Sequence, residues 1–223
     1  MLTREKILPL ENGDFLTCEE FERRYDAMPH LKKAELIEGV VYMGSPVRVT
    51  HGTPHAQIMG WLFNYSLYTP GVQVADNTTV RLDQDNEPQP DALLRIEQSG
   101  NSVISEDGYI EGAPELIIEV AASSASYDLR DKLHSYRRNQ VQEYLVWQVY
   151  EGHFNWFQWH SGKYVTLEPD ANGVIQSSVF PGLWLSVKAL LTGDLLEVQR
   201  VLSLGLATEE HTSFMQKIAL SNR

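Results

Sequence analysis

Two acidic residues stand in apolar segments of this chain, and a lysine follows them on a predicted helix. Asp91 comes directly after Pro90 at the start of one apolar run, and Glu119 lies near the end of another run at 114–120. Lys132 follows in a charged segment. Two carboxylates and an ammonium group that meet in space can hold a divalent metal ion and activate a water for phosphodiester cleavage. This chemistry requires the fold to bring the three side chains to one place.

Each of these residues also has a purely structural interpretation. A carboxylate buried in a strand needs a partner, so Glu119 could belong to a structural ion pair. Asp91 could be an ordinary polar residue at the entry of a strand. Lys132 lies four residues after Asp128 and could simply pair with it along one helix face. The functional hypothesis needs Lys132 to point at the acids, where it would orient the attacking water or stabilise negative charge.

Other polar residues are weaker candidates for the same site. Glu35 lies in a predicted hairpin, where an exposed strand position is slightly favoured. His51 and His55 have the spacing of a helical metal pair, but Pro54 is expected to start the helix. His51 is therefore expected outside the helix, and no helical zinc site is expected. His55 would make either an ordinary polar contact or, in the sharper interpretation, a phosphate contact. Ser123 lacks the glycine-flanked turn of an acyl-transfer nucleophile.

Composition and charge restrict the class of protein. The 223 residues suit one ordinary domain, with or without an appended helix, and a hydrophobic fraction of 43% is typical of a soluble globular chain. The formal net charge of −12 counts against bulk nucleic-acid binding, because phosphate neutralisation needs lysine and arginine. A local basic group could still serve a nuclease, although a solvated helix face explains it equally well. This group consists of Arg130, Lys132, Arg137 and Arg138.

Targeting and redox signals are sparse. The lone Cys18 excludes an internal disulfide framework and a cysteine-rich metal site. No apolar run is long enough to span a membrane, and the N-terminus lacks the apolar core of a signal peptide. The sequence therefore predicts a cytoplasmic protein without a membrane partner.

The hydrophobic pattern predicts a mixed α/β chain of the α+β type. Helices are expected at 17–28, where Thr17 and Glu20 form a capping box, from Thr53 through Tyr65, at 128–139, at 187–191 and 195–206, and loosely after 208. A hairpin is expected at 34–43 with its turn at Gly39. Further strands are expected at 72–75, 78–82, 91–96, 116–120, 143–149, 153–159, 164–167 and 174–180. The stretch 97–112 is expected to be a loop, and 116–120 a central strand covered on both faces.

Taken in order, these residues resemble the Uma-two family of endonucleases, from about Glu35 to Leu191. The single motifs are weak, but their order and spacing are fairly specific. The matching positions are 35–39, Ser45-Pro46, His55, Pro90-Asp91, 114–120, Ser123, Asp128–Lys132, Tyr136, 141–144 and the closing segment 181–185.

The resemblance implies a restriction-endonuclease-like fold of the PD-(D/E)XK superfamily. That fold is a central mixed sheet flanked by helices, here with additional antiparallel strands. Residues 1–33 would form an N-terminal helical segment packed on the core, 34–191 the restriction-endonuclease-like domain, and 192–223 a C-terminal helical extension.

The resemblance also implies roles for individual residues. Asp91 would be the first metal-binding acid and Glu119 the second, with the backbone carbonyl of Val120 as a candidate further ligand for Mg²⁺ or Mn²⁺. The lysine that the superfamily places two residues after the second acid is absent, because Ala121 stands there. Lys132 resembles the displaced lysine of this family. The supporting positions implied by the pattern are Glu35, His55, Ser123, Asp128 and Tyr136.

Three functional hypotheses follow. The first is a Mg²⁺- or Mn²⁺-dependent nuclease that acts on nucleic acid, with DNA as the expected substrate. The second is a non-catalytic binding or assembly protein on the same fold, for which a homodimer is a candidate state and which the acidic charge favours. The third is a metal-dependent hydrolase that acts on something other than nucleic acid.

Overall fold

A computed structural model describes residues 7–44, 46–122 and 125–221 of the chain. Its centre is a six-stranded mixed sheet in which β8 and β9 run parallel and the other neighbours run antiparallel. In spatial order the strands are β11 (Lys163–Thr166), β10 (His153–His160), β9 (Glu143–Gln148), β8 (Leu116–Ala121), β5 (Ala92–Ile96) and β3 (Val72–Asp76). The predicted central mixed sheet is thereby confirmed.

Strand β8 is covered on both faces, as its nearly unbroken apolar sequence predicted. All six of its residues are buried. Alternate side chains of a strand point to opposite faces, and Leu116, Ile118 and Val120 accordingly belong to one core cluster. Ile117 and Ala121 belong to a second cluster on the other face. Glu119 shares the second face, so the fold places a carboxylate inside an apolar layer.

Helices cover both faces of the sheet. One side is covered by α2, which packs against α6, and the other by the helical connection between β8 and β9. That connection consists of α3, a π-helical turn at Asp128–Lys132, and α4. The helices are α1 (Cys18–Asp26), α2 (Val49–Leu67), α3 (Ala125–Tyr127), α4 (Leu133–Arg138), α5 (Val187–Thr192), α6 (Leu195–Leu206) and α7 (Glu209–Ser221).

Three small sheets complete the described structure. Strands β1 (Ala34–Ile37) and β2 (Val40–Met43) form the predicted hairpin. Its turn has positive φ angles of 50° at Glu38 and 77° at Gly39, which is the backbone that a two-residue hairpin turn needs. The other small sheets pair β4 (Val80–Arg81) with β7 (Ile110–Gly112) and β6 (Ser102–Ile104), and β12 (Val174–Gln176) with β13 (Trp184–Ser186).

Helix α2 begins earlier than predicted. It starts at Val49 rather than at Thr53, so Pro54 lies inside it and His51 is a helical residue. The prediction that His51 lies outside the helix is therefore wrong. Pro54 lies beyond the first turn, so the helix loses the hydrogen bond that a backbone N–H at this position would donate to the Thr50 carbonyl. Tertiary contacts hold the extra turn, because the side chains of His51 and Thr50 bond to the Val120 carbonyl and to Tyr150.

Several other boundaries also differ from the predictions. The expected loop at 97–112 contains β6 and β7, which are too short to show an alternating pattern. The strand expected at 174–180 ends at Gln176, because Ser177 turns inward to donate to Glu143. Helix α1 has the predicted N-cap, but the Glu20 carboxylate binds Arg23 and Arg24 rather than completing a capping box.

The C-terminal helices are held by burial. Helix α7 buries His211 and Ile218, so it packs more firmly than the loosely held helix that the sequence predicted. Among the described residues, no helix combines the length and the apolar character needed to cross a membrane.

Trp156 tests how much the core depends on β10. Its side chain is fully buried, meets Trp61 edge to face with 5.9 Å between ring centroids, and donates to Glu143. We expect Trp156→Ala to lower the free energy of unfolding by about 3–5 kcal/mol, because it leaves a large cavity and removes one of the donors to Oε2 of Glu143, which keeps its bond from Ser177. Urea unfolding followed by circular dichroism measures this loss. Phe63→Ala, at an exposed position of α2, is the control and should change the value by less than about 0.5 kcal/mol; equal losses would contradict the prediction.

Candidate active site

Strands β5 and β8 bring the two acids together. Ala92 of β5 lies opposite Ile118 of β8, and continuing this antiparallel register by one residue sets Asp91 opposite Glu119. Residues opposite one another in an antiparallel pair project from the same face, with Cβ atoms roughly 5 Å apart. The backbone N–H of Val120 also donates to Asp91 Oδ2 at 2.7 Å. Both carboxylates are therefore neighbours on the face of the sheet that α3 and α4 cover.

Lys132 reaches the acids from the helical connection. Its ammonium nitrogen lies 2.8 Å from Oε1 of Glu119 and 2.8 Å from Oε1 of Glu35, and only 3% of its side chain is exposed. Burial by itself would lower the pKa of Lys132. The carboxylates of Glu119, Glu35 and Asp128 outweigh burial and hold the pKa well above its usual value. Lys132 is thus a buried cation that joins two strands to the covering helices.

Glu119 accepts two hydrogen bonds on one carboxylate oxygen. Tyr136 of α4 donates its hydroxyl to Oε1 of Glu119 at 2.8 Å, the same atom that Lys132 contacts. Burial raises the pKa of Glu119; Lys132 opposes the rise, and the neighbouring acids, Asp91 first, add to it. The site therefore carries more negative charge than its buried lysine neutralises, and such a site favours an additional cation.

Asp91 is held ionised by its surroundings. Its Oδ1 lies 3.5 Å from Nε2 of His51 and 3.9 Å from Nζ of Lys33. Burial opposes ionisation, but the contacts with His51, Lys33 and the Val120 N–H lower the pKa of Asp91 to about 2. The carboxylate is therefore charged throughout the physiological pH range.

Glu35 joins the site from the first hairpin. Its Oε1 accepts from the backbone N–H of Gln89 at 2.7 Å as well as from Lys132, and the residue is buried. The interpretation of Glu35 as an exposed strand residue is therefore wrong. The hairpin side chain folds inward because the buried ammonium needs a second counter-charge.

The remaining candidates lie at different distances from this centre. His55 bonds through Nε2 to the Asp91 carbonyl and the Asp76 carboxylate, each at 2.9 Å, which is the ordinary polar contact. Asp128 is buried, its carbonyl accepts from Tyr144, and its charge acts on Lys132. Ser123 lies outside the described residues.

His51 is a site residue that was not among the residues predicted from the sequence. Its Nδ1 lies 2.9 Å from the Val120 carbonyl oxygen, while Nε2 faces Asp91. The neighbouring Asp91 carboxylate raises the pKa of His51. The spacing of His51 and His55 carried the signal, because residues four apart share one face of a helix, and here their rings stack at 5.8 Å. Because the helix was expected to start at Pro54, His51 was not expected on that face.

The local basic group provides less positive surface than its composition suggested. Lys132 is buried, and Arg138 is paired with Asp83 at 2.8 Å and with Glu38 at 3.4 Å. Arg130 remains exposed. This group therefore offers an anionic substrate less positive surface than four cationic side chains would.

The donor atoms at this site suit a hard divalent cation. Asp91 and Glu119 offer carboxylate oxygens, and Mg²⁺ and Mn²⁺ are commonly held by one or two carboxylates with water completing the shell. Across the part of the chain that is described, no set of three or more His, Cys, Asp or Glu side chains is arranged to hold a metal ion. A cation here would therefore rely on few protein ligands.

Comparisons with known proteins identify a family and a similar fold. The family Uma2, described as "Putative restriction endonuclease", matches residues 18–188. The fold is similar to the crystal structure of a "putative nuclease belonging to DUF820" from Anabaena variabilis, with a TM-score of 0.58 and 15% sequence identity, over 76% of this chain and 96% of that chain. At this identity the similarity shows the fold alone. No curated protein matches the chain.

Replacing the buried lysine should make stability depend strongly on pH. We expect Lys132→Met to lower the free energy of unfolding by about 3–5 kcal/mol at pH 8, because Glu35 and Glu119 lose their counter-charge. The folded state already holds a proton on Glu119 more tightly than the unfolded chain, so stability falls as pH rises above the ordinary glutamate pKa. Without the ammonium group the pKa of Glu119 rises further, so the pH range over which stability falls becomes wider. The stability loss of Lys132→Met relative to the wild type should therefore be smaller at pH 5 than at pH 8.

Urea unfolding of both proteins at pH 5 and pH 8 measures this dependence. Lys188→Met removes an exposed lysine of α5 and is the matched control. A deficit for Lys132→Met that is the same at both pH values would contradict an electrostatic role for the ammonium.

Proposed function

The chain belongs to the Uma2 family, described as "Putative restriction endonuclease", and we propose that it is a metal-dependent endonuclease that hydrolyses phosphodiester bonds in nucleic acid, with DNA as its substrate. The observation that carries this proposal is the contact of Lys132 with Glu119, on the strand position opposite Asp91. An ordinary buried ion pair needs one acid and one base. Here one ammonium group serves two glutamates, and a third carboxylate stands beside them.

We assign the cation to Asp91 and Glu119. Among the described residues, the side chains of Lys132 and Tyr136 donate to Oε1 of Glu119, so its other oxygen is the one assigned to the ion. A divalent ion bound there supplies Lewis acidity, which lowers the pKa of water and polarises a phosphoryl oxygen. Mg²⁺ and Mn²⁺ suit the carboxylate donors.

Lys132 has two roles in this proposal. Its hydrogen bonds fix the Glu119 and Glu35 carboxylates, which sets the direction of the metal-binding oxygens. With a phosphodiester bound at the assigned ion, its charge would also stabilise the negative charge that develops on the phosphoryl group. A lysine that arrives from a helix can replace one two positions after Glu119, because only the position of the ammonium group matters. Ala121 stands on that strand position and packs in the core.

Tyr136 and Gln89 act as positioning residues. Tyr136 donates to Glu119 and thereby limits the orientations of that carboxylate. The backbone N–H of Gln89 does the same for Glu35. Neither group needs to touch the substrate, because each restricts an acid that Lys132 also contacts.

Loss of either metal-binding acid should abolish cleavage without unfolding the chain. We expect Asp91→Asn and Glu119→Gln each to reduce the rate of DNA cleavage in Mg²⁺ or Mn²⁺ at least about 100-fold, since removing a ligand removes transition-state stabilisation. A gel assay on plasmid and linear DNA measures the rate, with circular dichroism to verify folding. Asp85→Asn changes an exposed acid and is the control. Cleavage that persists in the folded acid variants would disprove the assignment.

A substrate panel distinguishes this proposal from its two alternatives. The wild-type chain should cleave DNA after Mn²⁺ or Mg²⁺ is added, and EDTA should abolish the activity. Cleavage of RNA alone, or of small phosphoesters alone, would show that the protein is a hydrolase of another substrate class. Metal binding without cleavage of any panel member, or no metal binding at all, would favour a non-catalytic binding or assembly protein.

A further inference from the structure

His51 contacts two groups of the site from the first turn of α2. Its Nδ1 lies 2.9 Å from the carbonyl oxygen of Val120, and a carbonyl oxygen only accepts hydrogen bonds. Nδ1 therefore carries a proton. The other ring nitrogen, Nε2, is directed at Oδ1 of Asp91 at 3.5 Å.

The separation of Nε2 and Oδ1 is long for a hydrogen bond. Hydrogen bonds from nitrogen to oxygen usually span roughly 2.7–3.2 Å. Two ligands of one ion, each about 2.1 Å from the metal, lie about 3.0 Å apart at a right angle and about 3.5 Å apart at a tetrahedral angle. The 3.5 Å between His51 and Asp91 therefore fits two ligands of one small cation.

The hydrogen bond of the other ring nitrogen, Nδ1, is also typical of a metal-binding histidine. A metal-binding histidine almost always donates its second ring N–H to a carboxylate or a backbone carbonyl, which fixes the ring and its tautomer. Val120 accepts this bond in the present structure. The same residue donates its N–H to Asp91 Oδ2, so a single peptide segment orients both side chains.

We propose that His51 binds the catalytic metal through Nε2, as a ligand beside Oδ1 of Asp91. The Val120 carbonyl then orients His51 instead of contacting the metal, which revises the ligand expected from the family pattern. This inference rests on the proposed metal dependence of the nuclease. The His51 side chain is 22% exposed, so the imidazole ring is not sealed from solvent.

Two neighbouring residues define how the site would accept the ion. His55 stacks on His51, but its Nε2 bonds to the Asp91 carbonyl and to the Asp76 carboxylate, so His55 is not assigned as a ligand. Lys33 lies 3.9 Å from Asp91 Oδ1 and is 31% exposed, so its flexible side chain can withdraw into solvent when a cation binds.

An imidazole ligand changes the preference among metals. Nitrogen ligands favour transition metals, whereas Mg²⁺ prefers oxygen and keeps its water. The wild-type chain should therefore bind Co²⁺ and Mn²⁺ more tightly than Mg²⁺. Removing His51 should weaken Co²⁺ and Mn²⁺ binding at least about 10-fold and change Mg²⁺ binding much less.

Calorimetric titration of the EDTA-treated full chain at pH 8 with Mn²⁺, Co²⁺ and Mg²⁺ tests this inference. The variants are His51→Gln and His51→Asn, with His55→Gln as the matched control from the same helix face. Electron spin echo spectroscopy of bound Mn²⁺ adds a readout that is independent of affinity and of cleavage. It should detect coupling to an imidazole nitrogen in the wild type and in His55→Gln, and none in the His51 variants.

The outcomes separate this inference from the proposed function. If the wild type binds none of the three ions, the metal dependence itself is wrong and the inference falls with it. If the wild type binds Mn²⁺ without nitrogen coupling, or the His51 variants bind it equally well or more tightly, only the His51 assignment is wrong. If both His51 variants fail to fold, the spectra of the wild type and of His55→Gln still test the assignment. Nitrogen coupling in both supports His51 as the ligand, and its absence from the wild type or its loss in His55→Gln contradicts it.

Discussion

The buried ammonium group of Lys132 is the interaction on which the rest of the site depends. Four carboxylates, from Glu35, Asp91, Glu119 and Asp128, act on one small buried region, and burying such charges without a counter-ion is costly. Lys132 contacts two of them directly. Because those two acids lie on different sheets, the same ammonium group also ties the first hairpin to the central sheet.

The helical connection between β8 and β9 has to place the ammonium group of Lys132 within hydrogen-bond distance of Glu119. A π-helical turn covers Asp128–Lys132, between α3 and α4. Such turns hold one more residue than an α-helical turn and occur frequently at functional sites. In this turn Lys132 points toward Glu119, and Tyr136 follows one turn later with its hydroxyl on the same carboxylate oxygen. The π-helical turn thus allows Lys132 and Tyr136 to donate to the same oxygen of Glu119.

The two faces of the central sheet have different tasks. The face toward α2 is an apolar core around Trp61, Leu62 and Trp156, and it supplies the rigidity that a precise site requires. The opposite face carries the acids, with Asp91 just before the start of β5 and Glu119 near the end of β8, beside the smaller cluster of Tyr136 and Tyr144. The first turn of α2 crosses from one region to the other, because His51 reaches the end of β8 from the side of the core.

The sequence by itself determined the components whose signal is local. Asp91 beside Pro90, Glu119 inside an apolar run and the hairpin turn at Gly39 are each visible in a few residues, and the structure has a strand or turn at each. The ordered set of motifs predicted the family and the fold. The short strands β6 and β7 were missed because three residues cannot display an alternating pattern.

Tertiary structure alone decided which side chains meet. The inward position of Glu35 depends on an ammonium group almost a hundred residues away in sequence. The extra turn of α2 that carries His51 opposes the local signal of Pro54 and is held by contacts with Val120 and Tyr150. Local propensities are worth at most a few kcal/mol, and pairings between distant segments outweigh them. The physical reason is that a buried charge must find its partner wherever the fold offers one, and sequence neighbours do not reveal where that is.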